Sequence, residues 1–390
     1  MRGGAAIQGN LFVVIGTRPE AVKLAPVIAA LRGVLPVTVC ATGQHRDLLD
    51  TALADFGIVP DLNLDLMRSG QRPEDVVAAA LPMLRRAITA TRAAAVIVQG
   101  DTASAFAGAQ AGAYAGVPVV HVEAGLRSDS IAEPFPEELH RRAIAQLSTL
   151  HFAPTAAAAA ALLEAGIPAA AVHLVGNTGI DALLHVAERL TSDTAARAHA
   201  EAMLPVLDAQ RPLLLATVHR RENHGARLND IATALEQLAV QHGAQVVVPV
   251  HPNPAVRSVL EARLGHIPAI HLVPPLRYPA FVTLLQRARA VLTDSGGVQE
   301  EAPALGCPVL VLRSTTERRE GVAAGTALLV GTDPGAIIAA TRRLLTDDVA
   351  HARMARVALP YGDGRAATRI AAILAQTFSA APRTEALQQV

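Results

Sequence analysis

Residues 93–123 read AAAVIVQGDTASAFAGAQAGAYAGVPVVHVE. One apolar run ends in Gly100-Asp101, a stretch of small residues follows, and a second apolar run opens at Pro118 and ends in Glu123. Two such runs separated by a helix-length segment predict strand, helix and parallel strand, with the strands buried on both faces. Residues just past the strands then stand at the carboxyl edge of the sheet, where open α/β folds bind ligands. Asp101 and Glu123 are placed in this way, and Glu137 in the Pro-rich turn PFPEE adds a third carboxylate. Clustered carboxylates oppose one another's ionisation, so one of them is expected to hold a proton near neutral pH. Those are the parts of an acid/base site; a salt-bridged structural cluster is the alternative.

The same alternation extends in both directions. Strand-like runs fall near 11–15, 37–41, 95–98, 118–122, 150–153 and 172–175, and a second series near 213–217, 245–249, 270–273, 290–293, 308–312 and 327–330. Ala-rich helical segments separate them, with Pro19 and Pro154 where helices begin. A chain of 390 residues exceeds the usual single domain. The expected fold is therefore α/β, with two Rossmann-like domains and a central cleft into which each half presents its motifs. Residues 1–190 form the first domain, with the acid/base carboxylates, and 191–365 the second. Residues 366–390 form a helix and tail returning to the first domain, and the link lies within about 185–211.

Composition narrows the partner. Hydrophobic residues make up 51% of the chain and charged residues 17%, which excludes a disordered or fibrous class. Basic and acidic residues balance at 34 each, so no net field draws nucleic acid or an anionic membrane. A small molecule is expected. Thr102 to Val122 is free of Asp, Glu, Lys and Arg, but its glycines, Gln110 and Pro118 read as a buried helix followed by a strand, not a membrane span. The apolar run near the start is too short for the core of a signal peptide. With Cys40 and Cys307 read as buried free thiols, a cytoplasmic location is expected.

Five further segments carry polar chemistry with apolar runs. GTRPEAVKLAPV (Gly16–Val27) sets Arg18 and Lys23 at a helix start suited to an anion, without the glycine spacing of a dinucleotide site or P-loop. An ordinary strand-helix turn with solvated Arg and Lys is the other reading. DSGGVQEEAPALGCPV (Asp294–Val309) offers Ser295, Gly296 and Gly297 for close approach to a phosphate. Glu300 and Glu301 behind them either favour the helix dipole or accept ribose hydroxyls. TVHRRENHG and PVHPNP each put a histidine, His219 and His251, directly after a strand, as structural residues or as donors to a departing phosphate. The charged run RSTTERRE is either a solvated helix start or, through Arg313 at a strand end, part of the same region. No HExxH, CxxC or GxSxG appears, so neither a metal site nor a Ser-His-Asp hydrolase is assigned.

The segments GTRPEAVKLAPV, TGQHRDLLD, QGDTASAFAGA, HVEAGLRS, PFPEELHRR, GNTGIDAL, TVHRRENHG, VHPNP and DSGGVQEEAP, in this order, resemble the bacterial non-hydrolysing UDP-N-acetylglucosamine 2-epimerases over about residues 11–375. The resemblance implies a glycosyltransferase-B-like pair of domains, usually as a homodimer, and interconversion of UDP-GlcNAc and UDP-ManNAc without metal or nicotinamide. In that family the C2 proton is removed as UDP leaves, giving a 2-acetamidoglucal, and UDP returns after protonation of the opposite face. Matched to the family's motifs, Asp101, Glu123 and Glu137 are the proton-transfer carboxylates, and His219 assists at the sugar or leaving group. Arg18, Lys23, His251, Ser295, Gly296 and Glu301 hold UDP, Glu301 at the ribose. His140, Arg277, Ser314 and Arg319 depart from the family's pattern, with added arginines that suit an acidic sugar such as a diacetamido uronate. A UDP-sugar glycosyltransferase on the same fold is the second alternative.

Overall fold

The computed structural model describes residues 9–43, 46–66, 68, 70–128, 130–132 and 134–379. Gln44 and His45, in the TGQHRDLLD segment, lie outside the described residues. The chain divides into two compact units, residues 1–182 with 362–390, and residues 183–361. The sequence-based boundaries at 190 and 366 lie a few residues further along; the first division falls inside the helix Thr178–Ser192. The segment expected as a link is largely helical. Asp193 caps the helix Thr194–Glu201 by accepting hydrogen bonds from the backbone N–H groups of Ala195 and Ala196.

The first unit is built on seven parallel strands: β1 (Asn10–Ile15), β2 (Val37–Ala41), β3 (Leu62–Asn63), β4 (Ala93–Gln99), β5 (Val119–Val122), β6 (Leu150–Ala153) and β7 (Val172–Leu174). Their order across the sheet is β3-β2-β1-β4-β5-β6-β7. The chain winds outward from β1, then crosses back to lay β4 on its other side. That junction is the switch point at which loops part and a ligand finds room. Helix Arg18–Arg32 buries Leu24, Ile28 and Leu31 with Val13 and Ile15 of β1, and the returning helix Ala366–Phe378 adds Ile370 and Leu374 to the same core. Backbone N–H of Ala367 donates to Asp181 Oδ1 at 2.8 Å, fastening that return.

The uncharged stretch after Asp101 forms helix Ala103–Tyr114 and then β5. Its small residues have a packing cause. A Cβ on Gly108 would come within 2.9 Å of Val98, and one on Gly112 within 2.8 Å of Val119, so this helix lies closer to the sheet than larger side chains allow. Among the described residues no helix is long and apolar enough to cross a membrane.

The second unit repeats the plan with β8 (Leu213–Thr217), β9 (Gln245–Pro249), β10 (Ile270–Val273), β11 (Ala290–Thr293), β12 (Val309–Val311) and β13 (Ala327–Leu329). The order is β10-β9-β8-β11-β12-β13, again all parallel, with the switch point between β8 and β11. The two parallel sheets are those predicted from the apolar runs; β3, only two residues long, is the strand that the runs did not reveal.

Candidate active site

In the first unit β4 and β5 pair side by side, Gln99 opposite Val122, and the Gly100 N–H bonds the Val122 carbonyl. Asp101 and Glu123 thus leave neighbouring strands at the same edge. Gly100 turns the chain at φ 68°, and Glu123 itself holds φ 60°, a left-handed conformation that costs a residue with a Cβ of order 1 kcal/mol. Lys23 donates to Glu123 Oε1 at 2.6 Å, and the Gln99 amide donates to Oε2. The side chain of Glu123 is only 7% exposed, so a paired cation is what makes its charge tolerable. The helix-start lysine read as an anion ligand therefore reaches a carboxylate of the same edge.

Asp101 is held from another element. Helix Glu137–Leu147 presents His140, whose Nδ1 donates to the Asp101 backbone oxygen at 2.8 Å, and Arg141, whose Nε donates to Asp101 Oδ2 at 2.6 Å. The His140 ring stacks on Phe106, with centroids 4.8 Å apart. Glu137 opens this helix one turn before Arg141. Its Oε2 is buried and finds no hydrogen-bond partner among the described residues, an uncommon state for a carboxylate oxygen.

A carboxyl that burial lifts toward neutral pH lies outside the expected trio. Glu20, 1% exposed, accepts hydrogen bonds from the Gly16 N–H at 3.0 Å and from the Thr17 and Thr102 hydroxyls at 2.8 Å each. Burial outweighs these donors and pushes it up from 4.5 to about 7. His121, inside β5, donates through Nε2 to the Gly100 oxygen at 2.8 Å, and burial holds its pKa down to about 4, so the ring is neutral. Sequence reading missed both. Thr17 and Glu20 do have the T-x-x-E spacing of a capping box.

In the second unit the strand ends of β8 and β11 converge on Asp294, fully buried directly after β11. It accepts from the backbone N–H groups of His219 and Arg220, from the Asn223 side chain at 3.0 Å and from His219 Nδ1 at 3.0 Å. Burial works against its charge, but the His219 ring and the N–H donors prevail and hold Asp294 below the usual carboxylate range. With Nδ1 committed, Nε2 is the His219 nitrogen left for a ligand. The His251 ring stacks on it with centroids 5.7 Å apart and planes 22° from parallel, and burial with its histidine neighbour lowers the His251 pKa. The two histidines singled out in sequence are thus neighbours.

Ser295 precedes the six-residue helix Gly296–Glu301. A Cβ on Gly296 would meet the Arg318 guanidinium at 2.9 Å, so an arginine already packs on that glycine; Gly297 has open space around it. Arg318 pairs with the buried Glu300 at 2.8 Å, and Glu301 accepts from the Tyr278 hydroxyl at 2.9 Å. Arg313 is 8% exposed and committed to Glu222 at 2.5 Å and Glu317 at 2.8 Å. Burial opposes the Glu317 charge, but Arg313 holds its pKa down to about 2. Arg313 therefore braces the segment that follows His219. Arg277 and Arg319, the added arginines, are half-buried and exposed respectively.

Two parallel sheets with polar groups gathered at their switch points define an α/β protein of the ligand-binding, doubly wound class. The UDP-N-acetylglucosamine 2-epimerase family model matches residues 30–375, and the chain belongs to that family. A Ralstonia nicotianae protein named probable UDP-N-acetylglucosamine 2-epimerase is 44% identical, over 95% of this chain and 100% of its own. The UDP-N-acetylglucosamine 2-epimerase of Escherichia coli K12 is 42% identical over 93% and 97%. Among solved structures, the Neisseria meningitidis UDP-GlcNAc 2-epimerase bound to UDP-GlcNAc superposes with a TM-score of 0.89 at 39% identity, over 94% of this chain and 100% of that one. The Methanocaldococcus jannaschii enzyme in complex with UDP-GlcNAc and UDP gives 0.81 at 30% identity, over 94% and 99%.

Proposed function

We propose that this protein is an isomerase that interconverts UDP-GlcNAc and UDP-ManNAc at C2 without net hydrolysis. The observation that carries the reading is the edge shared by β4 and β5, where Asp101 and Glu123 stand side by side and the helix bearing Glu137 docks on Asp101. Family membership supplies the substrate. A carboxylate takes the C2 proton while the C1–O bond breaks, its electron pair leaving on the β-phosphate oxygen and a C1=C2 double bond forming. A carboxyl on the other face then protonates C2, and the phosphate oxygen re-forms its bond to C1. Atoms balance, and no redox partner is required.

Asp101, Glu123 and Glu137 take the proton-transfer roles. Glu137 Oε2, buried and without a hydrogen-bond partner among the described residues, is a strong acceptor for a donor that the ligand supplies. His219, oriented by Asp294, offers Nε2 to the sugar or the departing phosphate. Arg18, Lys23, His251, Ser295, Gly296 and Glu301 are proposed to bind UDP, as the family's motifs imply. Arg313 contributes through Glu222 by holding the His219 segment in place. A homodimer in the cytoplasm is the proposed working state, in keeping with the family resemblance and with two buried free cysteines.

The test is proton NMR of purified protein with UDP-GlcNAc in heavy water. Deuterium at C2 together with UDP-ManNAc is the expected result. Neither exchange nor epimer would sink the assignment, and stoichiometric free UDP would turn it into a hydrolysing reaction. Light scattering during gel filtration should give the mass of two chains; the mass of one would remove the dimer.

A further inference from the structure

We propose that Glu20 is a positioning residue for this reaction: its buried carboxylate clamps the turn after β1, which carries Arg18, to the turn after β4, which carries Asp101. The inference rests on Asp101 being a proton-transfer group. One oxygen, Oε2, is accounted for by an ordinary helix cap, because it accepts from Gly16 N–H and the Thr17 hydroxyl of its own turn. The other is not. Oε1 accepts from the Thr102 hydroxyl at 2.8 Å, 82 residues away and adjacent in chain to Asp101. The same hydroxyl accepts from Ala105 N–H at 3.0 Å and so caps helix Ala103–Tyr114.

The two turns are in hard contact beneath this clamp. A Cβ on Gly16 would fall 2.1 Å from Ser104 Oγ and 2.9 Å from Thr42 Oγ1, and those two hydroxyls bond each other at 2.8 Å. Neutral donors alone surround Glu20 in these bonds, so keeping an ionised carboxylate there costs stability. A glutamine would cap the helix at lower cost, but with its oxygen kept by the Gly16 and Thr17 donors an NH2 group replaces the acceptor facing the Thr102 hydroxyl, whose donated hydrogen loses its partner. The charged acceptor earns its place by holding the two turns in one geometry, on which a proton transfer at Asp101 depends steeply.

Steady-state kinetics with UDP-GlcNAc on Glu20→Gln, Thr102→Val, the double variant and Asp101→Asn test this, with thermal melting and UDP titration in parallel. Glu20→Gln and Thr102→Val should each lower kcat about 10- to 100-fold, with KM and UDP affinity changed by less than about threefold. The double variant should be no slower than the slower single one, because both remove the same link. A kcat within about twofold of the parent in either folded single variant, an effect confined to KM, or losses that multiply in the double variant would each overturn the clamp. If Asp101→Asn is dead while Glu20→Gln is normal, the clamp alone fails. If Asp101→Asn turns over normally, the underlying role of Asp101 fails instead.

Discussion

A buried carboxyl group sits at the switch point of each sheet, Glu20 in the first and Asp294 in the second, and their pKa values shift in opposite directions. Glu20 links the turns after β1 and β4, while Asp294 links the ends of β8 and β11, so the same topological junction is tied by an acid in both units. Asp294 collects backbone N–H groups, an amide and a polarisable imidazole, which favour the anion, and its pKa is lowered. Glu20 collects two hydroxyls and few N–H donors against complete burial, and its pKa rises to about 7. How far the donors offset burial sets the direction of each shift. The Asp294 knot is built to be permanently ionised and to aim His219; the Glu20 clamp sits where its protonation changes within the physiological range.

The strongest way to break this contrast is Asp294→Ala. It would leave two backbone N–H groups and Asn223 without their shared acceptor, costing about 3–5 kcal/mol, and would free His219 to turn. Melting temperature and kcat should fall together, kcat by about 100-fold. A variant as stable and as active as the parent would mean the knot is not structural. Asp294 stabilises the fold above its unfolded pKa of 3.8, and that part is lost only as pH falls below this value.

The sign reverses for Glu20. Its raised pKa means that its contribution is fully present below pH 4.5 and is lost as pH rises to about 7, by about 3 kcal/mol in all. Glu20→Gln should therefore gain melting temperature relative to the parent at pH 8 compared with pH 5, even as it loses turnover. Denaturation at both pH values checks this, and a difference that does not change with pH would show that Glu20 ionises in the fold at its ordinary pKa. The smallest effect expected is from Gly16→Ala, whose Cβ would strike Ser104. Forcing the turns apart should cost about 2 kcal/mol, read as a lower urea midpoint, and an unchanged midpoint would show that the turns have slack.

Much of the first unit's edge was legible because parallel strands buried on both faces appear as unbroken apolar runs, and Asp101 and Glu123 sit directly after two of them. β3 was not legible, since Leu62 and Asn63 are too short a run to register. Glu137 was read in a turn, and the structure places it at the first position of a helix; the Pro-rich approach conceals that start. Lys23 was read as a phosphate ligand from its place at a helix start, and its pairing with Glu123 spans 100 residues of chain. Gly296 resembled a phosphate cradle, and the structure adds Arg318 against it. Arg313 looked like a ligand contact at a strand end, and two carboxylates claim it.

By itself the sequence determined the two parallel sheets, their order of appearance and the residues that end their strands, because period and punctuation are local properties of the chain. Which strand ends become neighbours was decided only in three dimensions. The reversal of winding puts β4 beside β1 and β11 beside β8, and this brings Thr102 to Glu20 and Asp294 to His219. Charge states followed the same route, since burial and donor count depend on distant residues. A buried glutamate and a buried aspartate look alike in one dimension; their surroundings make one a titrating clamp and the other a fixed anion.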